Sequence, residues 1–311
     1  MNLSAMTSNG SQCVFCNARL DLMFDCLIDL QEGVSREQHS LWKCINCGIG
    51  QTFPQLCEAD LESLYHSDYE PFSVRKGFLQ FLTEIKHRSD IRSLKKVLGS
   101  ELKNNALVFE FGSGSGEFLK KFKNLGCLVS GVEPGATGRR RAAEQFGISL
   151  DGTSAESVKF ELQWDLIIMR HVLEHLSSPV SVLNNIYQNG LRPGGVLFIK
   201  IPRFDSSEFQ KFGANWFNLD IPRHRFHFSK AGLLDLLTSV GFSEIVYKNE
   251  NIPLDYLRSI EYEFRTLGLS GSQFRRLLIR MPKSFSIFIA KLVTMSFVRN
   301  VPSRMIFIAR K

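Results

Sequence analysis

The first twelve residues, MNLSAMTSNGSQ, contain no Lys or Arg and no apolar run. A secretory signal needs both, so this beginning predicts a cytoplasmic chain whose thiols stay reduced. Disulfides are thereby disfavoured for the seven cysteines. Also lacking is an uncharged apolar stretch of about 20 residues, the length a membrane-crossing helix requires. The longest candidate, SFSIFIAKLVTMSFV at 284–298, is 15 residues long and carries Lys291. Acidic residues are scarce at the C-terminal end, where 251–311 hold eleven Lys and Arg against three Asp and Glu. The excess of the formal +7 charge therefore sits in the last fifth. Arg275, Arg276, Arg280, Lys283, Arg299 and Arg304 surround the apolar run. That pattern suits peripheral contact with an anionic membrane surface through 284–298, or a helix buried in a homodimer.

What is present begins with thiols in pairs. Cys13-x-x-Cys16 and Cys44-x-x-Cys47 each place two sulfurs on one tight knuckle, the second followed by Gly48. Two knuckles can complete a four-thiolate zinc site, and a site closed by four thiolates holds structure without taking part in chemistry. Buried free thiols or a redox pair are the alternative. The 27 residues between the pairs read as a hairpin, LDLMFDCLIDL and HSLWKC with a turn near Gly33. Cys26, Cys57 and Cys127 have no partner at ligand spacing and read as small core residues, and His39 is a substitute ligand at most. Residues 1–56 are thus expected to form a zinc ribbon. A linker with LYHSDYEPF and a helix over Lys76–Leu98 fill 57–105, the helix packing on the main domain through Phe78, Phe81, Leu82, Ile85, Ile91, Leu94, Val97 and Leu98.

A strand-length apolar run, ALVFEF (Ala106–Phe111), meets Gly112-Ser113-Gly114-Ser115-Gly116 and then a helical pattern. Strand, glycine turn and helix are the parts of a nucleotide-binding loop. A second strand, LVSGVE (Leu128–Glu133), ends in an acid placed to accept ribose hydroxyls. The glycine spacing is G-x-G-x-G with Glu110 at the strand end, and no G-x-G-x-x-G is present, which counts against a dinucleotide enzyme. Further strands follow at Asp165–Met169 and Val196–Ile201, with a Leu-Arg-Pro-Gly-Gly turn before the latter. EIVYKN (Glu244–Asn249) and RMIFIARK (Arg304–Lys311) read as a final pair.

The tracts FEFGSGSGEFL, GVEP, DLIIMRHVLEHL, LRPGGVLFIKIP and WFNLDIPRHRFHFSKAGLLDLLTSVGF resemble the class I S-adenosylmethionine-dependent methyltransferases of polysaccharide, lipid and natural-product pathways. The double Cys-x-x-Cys followed by LYHSDYE resembles the zinc-binding segment ahead of sugar C-methyltransferases. The resemblance implies an α/β, Rossmann-like sheet of seven strands, the last antiparallel, with the core over 106–249, a helical insertion over 250–303 and a final strand over 304–311. It implies S-adenosylmethionine bound by Glu110, Gly112, Ser113, Gly114, Gly116, Glu133, Pro134, Thr153, Ser154, Ala155, Arg170 and His171. Glu133 would face the ribose and Thr153–Ala155 the adenine.

Methyl transfer is an in-line displacement, so placement supplies much of the catalysis and a base is needed only if the acceptor must lose a proton. Four histidines in two clusters point to the acceptor side: His171 and His175 in HVLEH, His224 and His227 in PRHRFHF. On a helix His171, Glu174 and His175 share one face, which suits a divalent metal, a hydrogen-bonded loop, or a base at His175 or His224. Trp216, Asp220, Arg223 and His227 would shape a pocket for a small-molecule or glycan acceptor. No Asn-Pro-Pro-Tyr-like tetrapeptide for a flipped base follows the fourth strand, which sets RNA methylation second. A non-catalytic binding protein on the same fold is the third reading.

Overall fold

The computed structural model describes residues 12–30, 38–56, 78–99, 105–268 and 301–311. The turn near Gly33, Cys57, the LYHSDYEPF linker and the basic apolar segment 284–298 lie outside the described residues. The chain divides into two compact units. One comprises Met1–Leu56, Ile201–Asp235 and Lys248–Met305, the other Cys57–Lys200, Leu236–Tyr247 and Ile306–Lys311.

An α/β sheet of six strands, in the order β5-β4-β6-β7-β10-β9, belongs mainly to the second unit. These are β4 (Leu107–Phe111), β5 (Leu128–Val132), β6 (Trp164–Arg170), β7 (Leu191–Pro202), β9 (Ser243–Glu250) and β10 (Arg304–Arg310). β5, β4, β6 and β7 pair in parallel. Lys311 bonds Gly194 and Gly195 at the start of β7, and Ser303 bonds Arg203 past its end, so β10 runs antiparallel to β7. Strands of a parallel sheet are buried on both faces and read as unbroken apolar runs. Leu166–Met169 of β6 and Val196–Ile199 of β7 are accordingly fully buried. On one face α1 (Phe78–Leu98) packs Leu94 and Leu98, and α2 (Glu117–Lys123) packs Phe118 and Phe122, each such ring contributing roughly 1.5–3 kcal/mol of burial.

Two expectations need correction. Among the described residues the sheet has six strands where seven were expected, and beside β5 a single parallel bridge joins Val132 to Asp151. The Asp151 carboxylate accepts from the Thr153 N–H at 2.6 Å, a turn that diverts the chain before a ladder can grow. Nor is Leu-Arg-Pro-Gly-Gly a turn outside the strand. Trp164 pairs with Leu191 and Leu166 with Val196, so these residues bulge within β7.

The first unit holds a four-stranded antiparallel sheet, order β1-β2-β3-β8. β1 (Leu20–Leu27) and β2 (His39–Cys44) form the expected hairpin, β3 (Gly50–Phe53) follows, and β8 (Phe226–His227) pairs with β3 from far along the sequence. Cys127 is buried as expected, but Cys26 is exposed, with a left-handed backbone at φ 54°. Of the C-terminal insertion, one helix, Pro253–Thr266, falls among the described residues. No helix among the described residues is long and apolar enough to cross a membrane.

Candidate active site

The glycine turn after β4 is built on left-handed backbone: Gly112, Gly114 and Gly116 have φ of 59°, 55° and 76°. At these angles any Cβ is strained. At Gly112 one would also lie 2.6 Å from Val172 Cγ2. The turn returns the chain into α2, and Ser113 closes it by donating to the Glu110 carbonyl at 3.0 Å.

Opposite the turn, β5 delivers Glu133, which is 6% exposed. One carboxylate oxygen accepts from the Gly114 N–H at 2.7 Å and the other from the Gly135 N–H at 2.8 Å. Burial raises the pKa of Glu133, while these two donors and Arg139 act to lower it. Each oxygen keeps a second lone pair, the requirement for gripping two vicinal hydroxyls. Helix α3 (Ala136–Phe146) presses close enough that a Cβ at Gly138 would meet the Gly114 carbonyl at 2.8 Å and Glu133 Cγ at 2.9 Å. Arg139 braces the same corner by donating to the carbonyls of Glu133 and Pro134. Neither Gly138 nor Arg139 stands out in the sequence, and only the tight ATGRRR start of the helix hints at them. Pro134 is exposed, Thr153 and Ser154 border the turn at Asp151, and Ala155 is buried at its end.

Arg170, at the end of β6, donates to Glu110 at 2.9 Å, lies 4.0 Å over the Phe118 ring and meets His87 Nε2 at 3.2 Å. Since guanidinium only donates, His87 accepts, and burial with the Arg170 charge holds its pKa down to about 2. Glu110 is fully buried and its pKa rises to about 6, chiefly from burial, with Arg170 opposing. The next residue, His171, has φ 54°, and its Nδ1 lies 3.3 Å from Glu174. The expected helical face does not form, because only one 3₁₀ turn, Leu173–His175, follows before Pro179 starts the next helix.

In the first unit the four thiols come together, with all Sγ atoms within 4.8 Å of one another. Cys13 and Cys47 are 3.6 Å apart and Cys16 and Cys44 3.4 Å. The two knuckles repeat one geometry: Asn17 donates to Cys13 O and Gly48 to Cys44 O, each from a left-handed residue. Backbone N–H groups of Phe15 and Asn46 point at Cys13 and Cys44 Sγ, both at 3.4 Å. The contact with Cys47, helped by such N–H donors, lowers the Cys13 pKa to about 5. Four sulfurs around zinc at about 2.3 Å would stand about 3.8 Å apart, so the set fits such an ion. His39 is spent on Pro54 O at 2.9 Å.

The residues expected to shape an acceptor pocket divide. Arg223 is fully buried, held by Asp29 at 2.9 and 3.1 Å and by Asp220 at 2.7 Å. Trp216, 1% exposed, packs against Phe209 in an apolar cluster. Neither presents surface to an acceptor, so both are framework, with Asp220 tied to Arg223. His224 donates through Nδ1 to Asn218 O at 3.0 Å, and His227 Nε2 meets Thr52 Oγ1 at 2.9 Å. Burial keeps both rings neutral, with pKa values of about 4 and about 3.

Comparisons with known proteins agree with this geometry. The family model described as "Methyltransferase domain" matches residues 84–247. A ubiquinone biosynthesis O-methyltransferase of Methylobacterium is 29% identical over 107 residues, 32% of this chain and 43% of that relative's length. The match thus spans less than half of that curated relative. Two solved structures share the fold. One, of Galdieria sulphuraria and assigned as a sarcosine dimethylglycine methyltransferase, has TM-score 0.51 and 13% identity, covering 78% of this chain and 90% of that one. The other, phosphoethanolamine N-methyltransferase 2 of Haemonchus contortus with S-adenosyl-L-methionine, has TM-score 0.50 and 14% identity, covering 95% and 69%. The chain belongs to the methyltransferase domain family, and residues 84–247 are an S-adenosylmethionine-dependent methyltransferase domain.

Proposed function

We propose that the protein methylates a hydroxyl or carbon of a sugar, another small molecule or a lipid-linked glycan, with a structural zinc ion on Cys13, Cys16, Cys44 and Cys47. The observation that carries the reading is Glu133, clamped by the N–H groups of Gly114 and Gly135 across from a turn whose three glycines are left-handed. S-adenosylmethionine, when bound, supplies an electrophilic methyl group on a sulfonium. Glu133 then accepts the ribose hydroxyls, the 112–116 backbone lies along the methionine end, and Thr153–Ala155 border the adenine. Arg170 keeps Glu110 paired inside the sheet. His171, His175 and His224 are the groups proposed to take a proton where the acceptor loses one.

The zinc-binding segment supports a sugar by resemblance alone. The test is transfer of label from S-adenosyl-L-[methyl-³H]methionine to nucleoside-diphosphate hexoses, lipid-linked oligosaccharides and ribosomal RNA. Label in a glycan is expected. Label confined to RNA would replace this acceptor class, and label in none of them would count against the activity.

A further inference from the structure

We propose that His87, on α1, is a positioning residue for the cofactor: by accepting a hydrogen bond from Arg170 it keeps that guanidinium on Glu110, so that the strand ends carry balanced charge and favour the cationic methyl donor over its uncharged product. This role rests on the reading above, in which S-adenosylmethionine lies against the glycine turn after β4. It brings a helix outside that turn into the site.

Ligands of open α/β sheets bind at the carboxyl ends of the strands, and three charged side chains mark that edge here. Glu110 stands near the end of β4, Arg170 closes β6, and Lys200, the residue opposite Arg170 in register, lies near the end of β7. Helix α1 meets them with His87 and Asp90, three residues apart and so on one helical face. Both are buried. Asp90 Oδ2 accepts from Lys200 Nζ at 3.1 Å, while His87 Nε2 accepts from Arg170 Nη1 at 3.2 Å. Arg170 Nε in turn donates to Glu110 at 2.9 Å. The Phe118 ring supports both side chains from α2, its centroid 4.0 Å from the guanidinium carbon and 5.0 Å from that of the His87 ring. All of these residues belong to the second unit and to the segment that the methyltransferase family model matches.

Charge balance gives the arrangement its consequence. Arg170 and Lys200 are offset by Glu110 and Asp90, and a neutral His87 leaves the sum unchanged. Lys121 faces His87 from α2 and is itself paired with Glu84, Lys86 faces it from α1, and Glu133 faces Glu110 from the end of β5. Glu110 is fully buried, and among the described residues nothing donates to its Oε2. Arg170 is the group that opposes the rise of its pKa. The Arg170 side chain is 20% exposed, so without an acceptor at His87 it can turn toward solvent. Glu110 then takes up a proton, and a net positive charge remains at the strand ends. S-adenosylmethionine bears a sulfonium, an ammonium and a carboxylate and is a net cation, whereas S-adenosylhomocysteine lacks the sulfonium and is neutral overall. A residual positive charge therefore weakens the methyl donor and spares the product.

The test is calorimetric titration of full-length wild type, His87→Gln and His87→Leu with S-adenosylmethionine and S-adenosylhomocysteine between about pH 5 and 8. His87→Gln keeps an acceptor near the position of Nε2, and His87→Leu removes it. In the wild type, affinity for S-adenosylmethionine should fall as pH drops through about 6, where Glu110 takes up its proton, while affinity for S-adenosylhomocysteine stays within about twofold. His87→Leu should move that fall toward neutral pH and weaken S-adenosylmethionine about fivefold at about pH 7, with the product again within about twofold. His87→Gln should restore the wild-type pattern. Equal losses for both ligands would leave His87 a structural role alone and overturn the proposal, as would an unchanged His87→Leu or a His87→Gln that restores nothing. Should His87→Leu fail to fold, long-range ¹H–¹⁵N correlation of the ¹⁵N-histidine-labelled wild type, with His87 assigned through His87→Gln, decides the matter. A neutral ring with a bare Nε2 is expected, and an Nε2–H or a protonated ring overturns the proposal. A wild type that binds neither ligand would instead remove the cofactor reading itself.

Discussion

Replacing Gly138 by Ala sets two physical effects of opposite sign against each other. Gly138 lies inside α3 and is buried. On helix propensity alone, Gly to Ala should stabilise the protein by about 1 kcal/mol. The surroundings say otherwise, since the new Cβ would fall 2.8 Å from the Gly114 carbonyl and 2.9 Å from Glu133 Cγ. Neither neighbour is the free end of a flexible side chain: one is backbone of the glycine turn, and the other belongs to a carboxylate held by two N–H donors. Overpacking of this kind costs about 1–3 kcal/mol, so the net effect is a loss of up to about 2 kcal/mol. At about 2–4 °C per kcal/mol for a domain of this size, the melting temperature should fall by several degrees. The displaced atoms are those assigned to the cofactor, so affinity for S-adenosylmethionine should drop about tenfold or more, about 1.4 kcal/mol. Thermal melting and calorimetry on one preparation read both. A higher melting temperature with unchanged affinity would show that α3 does not press on the site and would refute the reasoning.

Two further predictions concern the first unit. Metal analysis should find one zinc per chain, abolished by Cys44→Ser, with affinity for S-adenosylmethionine changed by less than about threefold, about 0.6 kcal/mol, because every proposed cofactor contact comes from the other unit. Glu208 gives a pH signature. It is 7% exposed, its Oε2 lacks a completed hydrogen bond, and burial with the nearby Asp255 charge raises its pKa to about 8. Because the folded pKa is raised, its contribution is fully present below about pH 4.5 and is lost as pH rises through about 8. Relative to Glu208→Gln, the wild type should lose about 1.4 kcal/mol per pH unit between pH 5 and 8 in urea titrations, and parallel curves would contradict this assignment.

Legibility followed sequence distance. The β4, glycine turn, α2 and β5 succession lies in one uninterrupted stretch, and its periodicity and glycines announce it. Helix α1 shows the same clarity through its apolar spacing. β3 was invisible because GQTF has little strand character, and its partner Phe226–His227 lies about 175 residues away. Arg223 and Trp216 look like pocket residues because their types suit a sugar. Only the fold shows that Asp29, in the N-terminal segment, neutralises Arg223, and that Phe209 covers Trp216. Among the described residues the pairing beyond β5 stops at one bridge, where the Asp151 carboxylate captures the Thr153 N–H, a choice between turn and ladder that local pattern does not decide.

The most direct test of the central claim is calorimetric titration of the zinc-loaded wild type and Glu133→Ala with S-adenosylmethionine, with NAD in parallel. The wild type should bind S-adenosylmethionine in the micromolar range and leave NAD unbound. Two hydroxyl hydrogen bonds to a charged group, at about 1.5–3 kcal/mol each, put the loss in Glu133→Ala at about a hundredfold or more. A folded wild type that binds no S-adenosylmethionine, or a Glu133→Ala protein that binds it equally well, would contradict the account.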